Sequence, residues 1–366
     1  MTDLKSSGVD PNLFNYSLSD LEALLVQLKE PKFRAAQLFE WIWKHKKFSF
    51  DEMTNLAKSL REKLKNDFVI VPPKLLFSEN SEDGTKKFLI RLSDSKTVET
   101  VWIPKEDQGR VTVCISTQVG CRMGCKFCLT AQQKTERDLS PGEIAGQLFV
   151  LPDSDKITNV VVMGMGEPFD NLDNLLKALT IIQSPNGMGI GAGKITVSTS
   201  GLVPAIHRFV RESKCRLAVS LNASNDIVRS EIMPINKAYP LKVLMGALKE
   251  IASRDYPRLR RKDFLVTFEY ILMEGLNDSP ESARELISLV RGVPCKINLL
   301  LYNENPNTPY KRPSAERVDV FQKILMSKGL LSFVRKSRGR DISAACGQLA
   351  SQQKRQTLGA STLRLS

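Results

Sequence analysis

The stretch that decides the fold runs from Val111-Thr112-Val113-Cys114-Ile115-Ser116 into Cys121-Arg122-Met123-Gly124-Cys125-Lys126-Phe127-Cys128. The first part is strand-like. The second is a C-x3-C-x2-C loop at that strand's carboxyl end, and its thiols are spaced to wrap one metal centre. A closed structural zinc takes four ligands, and an ordinary iron–sulfur cluster takes four cysteines. Three thiolates on a four-iron cluster leave one iron open to a substrate or cofactor. Three free core thiols, or a zinc knuckle with a remote fourth ligand, are the alternatives. Gly120 and Gly124 free the backbone to fold closely round a cluster. Phe127, between two of the cysteines, could shield the metal or meet a nucleobase.

Downstream, strand and helix patterns alternate. Strands are expected at 111–116, 157–163, 194–198, 215–221, 264–271, 295–301 and 331–335. Helices are expected around 141–150, 171–183, 203–212, 241–253, 280–291 and 314–327. Ser140-Pro141-Gly142-Glu143 is a helix start with proline at the first helical position. Such alternation implies right-handed crossovers and a parallel sheet. Six units suit an α/β fold built as a partial (β/α)6 barrel, with reactive groups at the strands' carboxyl ends.

Upstream, residues 17–67 read as a helical module. Ser19-Asp20-Leu21-Glu22 and Ser49-Phe50-Asp51-Glu52 both fit the capping box, and Phe33, Ala36, Leu38 and Ile42 are available to a buried face. Segments 88–92 and 97–103 are strand-like and separated by Ser93-Asp94-Ser95-Lys96. The expected division is an N-terminal helical accessory domain (1–68), a short β linker (69–109), the barrel with a C-terminal cysteine segment (110–350) and a polar tail (351–366).

The 366 residues are 42% hydrophobic, enough for a full core. No apolar run approaches the ~18 residues of a membrane span, and residues 1–11 lack a signal-peptide profile. The expected location is the cytoplasm, with no membrane partner. There, seven cysteines read as reduced thiols, metal ligands or catalytic groups. With only His45 and His207 present, histidine chemistry is not central. The formal charge of +13 suggests a polyanionic partner. Residues 1–100 hold 16 basic and 15 acidic side chains, whereas 311–366 hold 12 and 3. That basic concentration surrounds Asp341-Ile342-Ser343-Ala344-Ala345-Cys346-Gly347-Gln348-Leu349 and favours RNA, a plain solvated face being the alternative. Cys346 is either packed or an accessible nucleophile, and Arg335-Lys336-Ser337-Arg338-Gly339-Arg340 would favour its thiolate.

Gly164-Met165-Gly166-Glu167-Pro168 closes the strand at 157–163. Gly166 lets a ligand approach the backbone, and Glu167 offers a carboxylate to an ammonium group. Ser198, Ser220-Leu221-Asn222 and Asn303 stand at the ends of the third, fourth and sixth strands. They could complete a pocket or serve as turn and cap residues.

Several long runs occur in order: the cysteine loop followed by Thr130-Ala131-Gln132-Gln133, the Gly-Met-Gly-Glu-Pro element, Val197-Ser198-Thr199-Ser200-Gly201, Pro294-Cys295-Lys296-Ile297-Asn298-Leu299 and the Ala-Ala-Cys-Gly-Gln-Leu segment. On these the chain resembles the RlmN/Cfr family of radical S-adenosylmethionine (radical SAM) RNA adenine methyltransferases, from the helical module to about residue 350. The resemblance implies that Cys121, Cys125 and Cys128 hold a [4Fe-4S] cluster. It also implies SAM at the open iron, contacted by Gly166, Glu167, Ser198, Ser220, Leu221, Asn222 and Asn303. The family's usual residue at 222 is histidine; asparagine can hydrogen-bond there but carries no charge.

Two SAM molecules would serve each turnover. One methylates Cys346. The other yields a 5′-deoxyadenosyl radical that takes hydrogen from that methyl, and the methylene radical adds to adenine carbon-2. Glu99 matches the proton acceptor, and Cys114 the thiol that resolves the RNA adduct by pairing with Cys346. The chemistry is consistent. Carbon-2 of adenine is not a nucleophile, so the cofactor must carry the hard step, and release needs a second thiol. Cys215 and Cys295 read as packing residues. The implied partners are 23S ribosomal RNA, a subset of tRNAs, and an electron donor such as flavodoxin or ferredoxin. The nearest alternative is Cfr-type methylation at carbon-8, against which stand Thr130-Ala131-Gln132-Gln133, Val334-Arg335-Lys336-Ser337-Arg338-Gly339 and the longer N-terminal part. A non-catalytic, metal-containing RNA-binding protein is the alternative of another class, and it would have no use for Cys114 and Cys346.

Overall fold

The computed structural model describes residues 10–253, 266–305 and 307–349. The expected polar tail, 351–366, and the first two residues of the strand expected at 264–271 lie outside the described residues. Three helices come first, α1 (Leu18–Gln27), α2 (Phe33–Trp43) and α3 (Lys58–Asp67). α1 is capped two residues earlier than expected, by Ser17 rather than Ser19. Ser17 Oγ accepts the Asp20 N–H, and the Asp20 carboxylate takes the Ser17 N–H. Ser49 opens only a single 3-10 turn, Phe50–Glu52, and makes no side-chain cap. Asp51 and Glu52 pair instead with Lys65 and Lys47. The buried face of α2 is Ala35, Leu38, Phe39, Ile42 and Trp43. Phe33 is exposed under the Arg34 guanidinium, 4.8 Å from the ring centroid, and Ala36 is only half-buried. The helical stripe is therefore rotated from the expected one.

One ten-stranded sheet carries the rest. β1 (Lys74–Asn80), β2 (Lys86–Arg91) and β3 (Thr97–Lys105) are antiparallel, and β3 runs antiparallel to β4 (Arg110–Ile115). The cysteine loop follows, framed by the pair β5 (Gln118–Val119) and β6 (Arg137–Asp138) with the one-turn helix α4 (Leu129–Gln132) between them. Alternation then begins with α5 (Pro141–Phe149), β7 (Asn159–Val162), α6 (Leu172–Gln183), β8 (Ile195–Thr199) and α7 (Val203–Glu212). It continues through β9 (Arg216–Ser220), α8 (Asp226–Ile232), α9 (Leu241–Ser253), β10 (Val266–Leu272), α10 (Pro280–Leu289), β11 (Cys295–Leu301), α11 (Ala315–Ser327) and β12 (Ser332–Arg335).

β4 and β7 to β12 are parallel neighbours in chain order. Most of their inner residues are apolar, Val160, Val197, Val219, Phe268, Ile297 and Leu299 among them, as a parallel sheet covered by helices requires. β4 spends its second edge on β3 and does not meet β12, so the barrel is partial and open. The helical module docks on α5 through aromatic rings. Phe14 stacks on Trp43 with centroids 4.2 Å apart and meets Phe149 of α5 edge-on at 5.5 Å. Among the described residues no helix is long and apolar enough to cross a membrane.

Candidate active site

Parallel strands deliver their carboxyl ends to one side of the barrel, and the chemically distinctive residues gather there. Cys121, Cys125 and Cys128 share the loop between β5 and α4. Burial pushes the Cys121 thiol up to about 12 and Cys125 well above its usual value, and neighbouring cysteine and Glu167 charges add to both. Thiols that repel one another's charge in this way become thiolates only when a cation takes the protons' place. Three cysteine thiols on one loop, backed by an apolar cluster, are a donor set that suits a four-iron cluster with one iron left open.

Phe127 is buried with Ile232, Met233, Met273 and Tyr302, and Cys125 and Cys128 pack against that cluster. Of the two roles open to Phe127, its burial supports shielding. An apolar shell of this kind keeps water from a metal centre and tunes its potential. Beside the loop lies an open cavity of about 620 Å³, walled by Cys121, Arg122, Gly124 and residues 131–136.

Gly166 has φ +95°, and a Cβ there would fall 2.6 Å from the Cβ of Gln118, so the turn admits only glycine. Glu167 follows, buried. Its Oε2 accepts the Ser200 N–H at 2.8 Å and its Oε1 the Phe169 N–H at 3.1 Å. Burial still raises its carboxyl above the usual range, against these hydrogen bonds. An ammonium group beside it would favour the ionised form. Ser198 Oγ and Ser220 Oγ lie 3.4 Å apart. Asn303 Oδ1 is buried without a hydrogen-bond partner, as expected of a group that a ligand satisfies. Asn222 has φ +58°, which asparagine tolerates. Its amide is engaged inside the protein: Oδ1 accepts the Ile271 N–H at 2.9 Å, and Nδ2 lies 3.3 Å from Met233 Sδ. The Leu221 N–H donates to the Glu269 carbonyl at 2.9 Å.

Arg229 on α8 is a site residue the sequence did not signal. It is fully buried. Nε donates to Leu221 O at 3.0 Å, Nη2 to Ser200 O at 2.7 Å and Ser220 O at 3.3 Å, and Nη1 to Asn236 Oδ1 at 2.8 Å. One guanidinium thus ties the ends of β8 and β9 together beside Cys125. Burial lowers its pKa to about 10, against the pull of the Cys125 and Asp226 charges. Arg229→Leu strands those carbonyls in the interior and should cost at least about 3 kcal/mol of stability. The urea midpoint should fall accordingly, and Arg229→Lys should recover only part of it, because an ammonium lacks the planar fork. An unchanged midpoint for Arg229→Leu would remove this role.

Cys346 is held in the cleft from two sides. On one side Ser81 Oγ and the Glu82 N–H donate to the Asp341 carboxylate at 2.6 and 3.2 Å, and Lys87 Nζ donates to Ile342 O at 2.6 Å. On the other, the Leu129 N–H donates to Gly347 O at 2.8 Å, Thr130 Oγ1 to Leu349 O at 2.6 Å and Asn303 Nδ2 to Cys346 O at 3.2 Å. The segment is a strap from the antiparallel strands to the cysteine loop. Cys346 is exposed on the cleft wall, yet the surrounding protein desolvates its thiol and pushes it up to about 11, with Glu269 and Cys128 adding. The basic run at 335–340 does not favour the thiolate as expected, since Arg338 turns to Asp83 and burial dominates. Cys114, buried on β4, is pushed up to about 12, chiefly by burial and then by Cys346. The two thiols are electrostatic neighbours.

Glu99 is buried on β3. Its carbonyl accepts Ser116 Oγ at 2.7 Å, and its Oε1 lies 3.6 Å from Lys87 Nζ. Lys87, also buried, is 2.9 Å from Glu79 Oε2. One ammonium therefore links Glu99 to the strap that carries Cys346. Lys87 too was passed over in the sequence, because no local pattern marks it.

Comparisons with known proteins bear on this architecture. A profile of the ribosomal RNA large subunit methyltransferase N-terminal domain matches residues 11–70, and one of the radical SAM superfamily matches 115–287. The chain is 46% identical over 343 residues to the dual-specificity RNA methyltransferase RlmN of Syntrophus aciditrophicus, covering 93% of this chain and 96% of that one. It is 43% identical over 360 residues to RlmN of Bdellovibrio bacteriovorus, covering 97% and 88%. The crystal structure of a radical SAM methyltransferase from Sphaerobacter thermophilus matches with a TM-score of 0.84 at 40% identity, over 94% of this chain and 100% of that one. Fold and site define a radical SAM methyltransferase, a class that works with a [4Fe-4S] cluster and SAM. Within that class the chain belongs to the RlmN family of dual-specificity RNA methyltransferases.

Proposed function

We propose that the protein methylates carbon-2 of adenine in 23S ribosomal RNA and in a subset of tRNAs, by way of a methyl group carried on Cys346. The observation that supports this reading is the strap, whose Gly347 carbonyl accepts from Leu129 at the end of the cysteine loop and whose Cys346 charge is felt at Cys114. A protein that merely bound RNA would have no need of two neighbouring thiols outside the loop.

Cys121, Cys125 and Cys128 hold the cluster, and Gly166, Glu167, Ser198, Ser220, Leu221, Asn222 and Asn303 form the SAM pocket. When bound, these groups supply the radical chemistry that breaks an unreactive C–H bond. The chain does the rest. Glu167 faces the ammonium of SAM. The apolar residues around Phe127 exclude water. Cys346 accepts a methyl group and presents it to the base. Glu99, close to the Lys87 ammonium, takes the proton from carbon-2. Cys114 gives up its thiol proton and attacks the Cys346 sulfur, so that an S–S bond forms, the S–C bond breaks and its electron pair stays with the carbon, which takes up a proton to become the methyl group; an external dithiol then reduces the disulfide. One methyl loaded and one radical event per product make two SAM molecules per turnover.

Residues 1–68 act as the RNA-binding accessory domain, 69–109 as the linker and 110–350 as the catalytic barrel. With the basic segment 311–340 they grip phosphates, while the target base is unstacked into the cleft. A flavodoxin or ferredoxin in the cytoplasm supplies electrons. Deleting the gene should remove 2-methyladenosine from the large-subunit RNA and tRNA nucleosides resolved by mass spectrometry, and complementation should restore it. Restoration of 8-methyladenosine instead would replace this reading with the Cfr-type one.

A further inference from the structure

Four charged or reactive side chains outside the cysteine loop share one face of the sheet. Glu79 of β1 stands directly opposite Lys87 of β2, Lys87 opposite Val101 of β3, and Val101 opposite Cys114 of β4. Residues paired across strands point to the same face, and so do residues two apart along a strand, which adds Glu99 to the row. The strap lies on that face, since Lys87 Nζ donates to Ile342 O at 2.6 Å. The same ammonium lies 2.9 Å from Glu79 Oε2 and 3.6 Å from Glu99 Oε1. Lys87 and Glu99 are buried, and Glu79 is half-buried. Glu79 has no part in the scheme above, and Lys87 enters it only as a neighbour of Glu99.

The two carboxylates are not equivalent partners. At 3.6 Å the Glu99 contact is too long for a hydrogen bond and is one of charge. At 2.9 Å the Glu79 contact is closer, and the buried Oε2 accepts no hydrogen bond among the described residues, so the ammonium serves it as a counter-charge. One positive and two negative charges therefore meet at the strap, and a proton arriving on Glu99 brings the trio to neutrality. A lysine paired with Glu99 alone would resist that proton, because neutralising its partner would strand a buried ammonium. With Glu79 in place, the ammonium keeps a counter-charge after the transfer. The backbone of Glu99 is fixed apart from Lys87. Its carbonyl accepts Ser116 Oγ at 2.7 Å, and Ser116 Oγ accepts the Met165 N–H at 2.9 Å, which ties Glu99 to the turn that carries Glu167.

Resting on the reading that Glu99 takes the carbon-2 proton, we propose that Lys87 and Glu79 are the positioning residues for that proton acceptor. Lys87 sets the Glu99 carboxylate against the strap that presents Cys346, and Glu79 keeps the ammonium balanced when Glu99 becomes neutral. In the step, the carbon-2 C–H bond breaks and its electron pair stays with the carbon. The proton bonds to a Glu99 carboxylate oxygen, and the transfer itself oxidises and reduces nothing. Asp341 anchors the same strap through Ser81 and Glu82, so it separates holding the strap from serving Glu99.

The test uses full-length, anaerobically reconstituted protein, methyl-labelled SAM, a chemical reductant, and large-subunit RNA with deuterium at carbon-2 of the target adenine. Three quantities are read: methyl on Cys346 by peptide mass spectrometry, covalent protein–RNA adduct on a denaturing gel, and 2-methyladenosine by nucleoside mass spectrometry. Glu79→Gln keeps the side chain's size. It should methylate Cys346 at the wild-type rate, form product about 10-fold more slowly, the effect of one neighbouring charge, and accumulate an adduct that retains the deuterium. Lys87→Met should lower product formation about 100-fold, and Lys87→Arg should recover part of it, because the guanidinium supplies the same charge. Wild-type product formation by Glu79→Gln, loss of its Cys346 methylation, an adduct without deuterium, or the same deuterated adduct in Asp341→Ala would each overturn the proposal. Full turnover by Glu99→Gln would overturn the role of Glu99 instead, and a wild-type protein that never methylates Cys346 the functional reading as a whole.

Discussion

Alanine in place of any one of Cys121, Cys125 or Cys128 should strip most of the iron and abolish SAM cleavage, with the fold retained. Removing an outer-shell partner already costs a metal site about 10–100-fold in affinity, and here a direct ligand is lost from a set of three. The acidic groups whose charge is felt at Cys121 are Glu167 and Asp170. The first is fixed by the Ser200 and Phe169 amides, and the second by Arg122 at 2.8 Å and Gln118 at 2.8 Å. Neither is at liberty to replace a thiolate, and carboxylate oxygen is a poor substitute for sulfur on iron–sulfur centres. The loop's fold should survive, because it is closed by the Lys126 N–H to Ile232 O at 3.0 Å and the β5–β6 pair rather than by the thiols. Iron and sulfide analysis together with 5′-deoxyadenosine release measure the effect. Cys215→Ala and Cys295→Ala should keep full iron. Full iron in a single loop variant, or stoichiometric zinc with no iron in the wild type, would defeat the assignment.

The barrel was legible because its strands leave little choice. Asn159–Val162 and Cys295–Leu301 are short apolar runs bounded by turn residues, and the helices between them are long enough to show their period. α8 was not, since seven residues cannot establish a period and its main buried group is an arginine. The cap of α1 shows the limit of a local pattern. Ser17 with Asp20 and Ser19 with Glu22 both fit the capping box. The choice between them falls to the burial of Leu21, Leu24 and Leu25, which depends on what the helix packs against.

The site divides in the same way. Cysteine spacing and the glycine turn before Glu167 are local, so the sequence exposes them. Lys87 and Arg229 work through distant partners. Lys87 reaches a carbonyl at Ile342, and Arg229 gathers carbonyls from two strand ends. Nothing beside them in the chain announces a buried charge. The expectation that the basic run would ionise Cys346 failed for the same reason: proximity in sequence did not become proximity of charge, and desolvation set the thiol's state.

Cys346→Ala and Cys114→Ala should abolish turnover equally and yet differ on a denaturing gel. Without Cys346 there is no methyl carrier, so no bond to RNA forms. Without Cys114 the scheme runs one step further and halts with RNA attached to Cys346 through the transferred carbon, because no second sulfur is present to form the S–S bond that releases it. Among the thiols outside the cysteine loop, Cys114 is the one whose charge is felt against Cys346, while Cys215 lies just before the amino end of β9. Disulfide formation needs Cα atoms roughly 4.4–6.8 Å apart, and the strap's anchors at Leu129, Thr130 and Lys87 hold Cys346 on the wall that β4 helps to build. A covalent protein–RNA band should therefore appear for Cys114→Ala, disappear on nuclease digestion, and be absent from the double variant. Cys215→Ala should give no such band. Full turnover by either single variant, or an adduct that persists without Cys346, would rule out the two-thiol scheme.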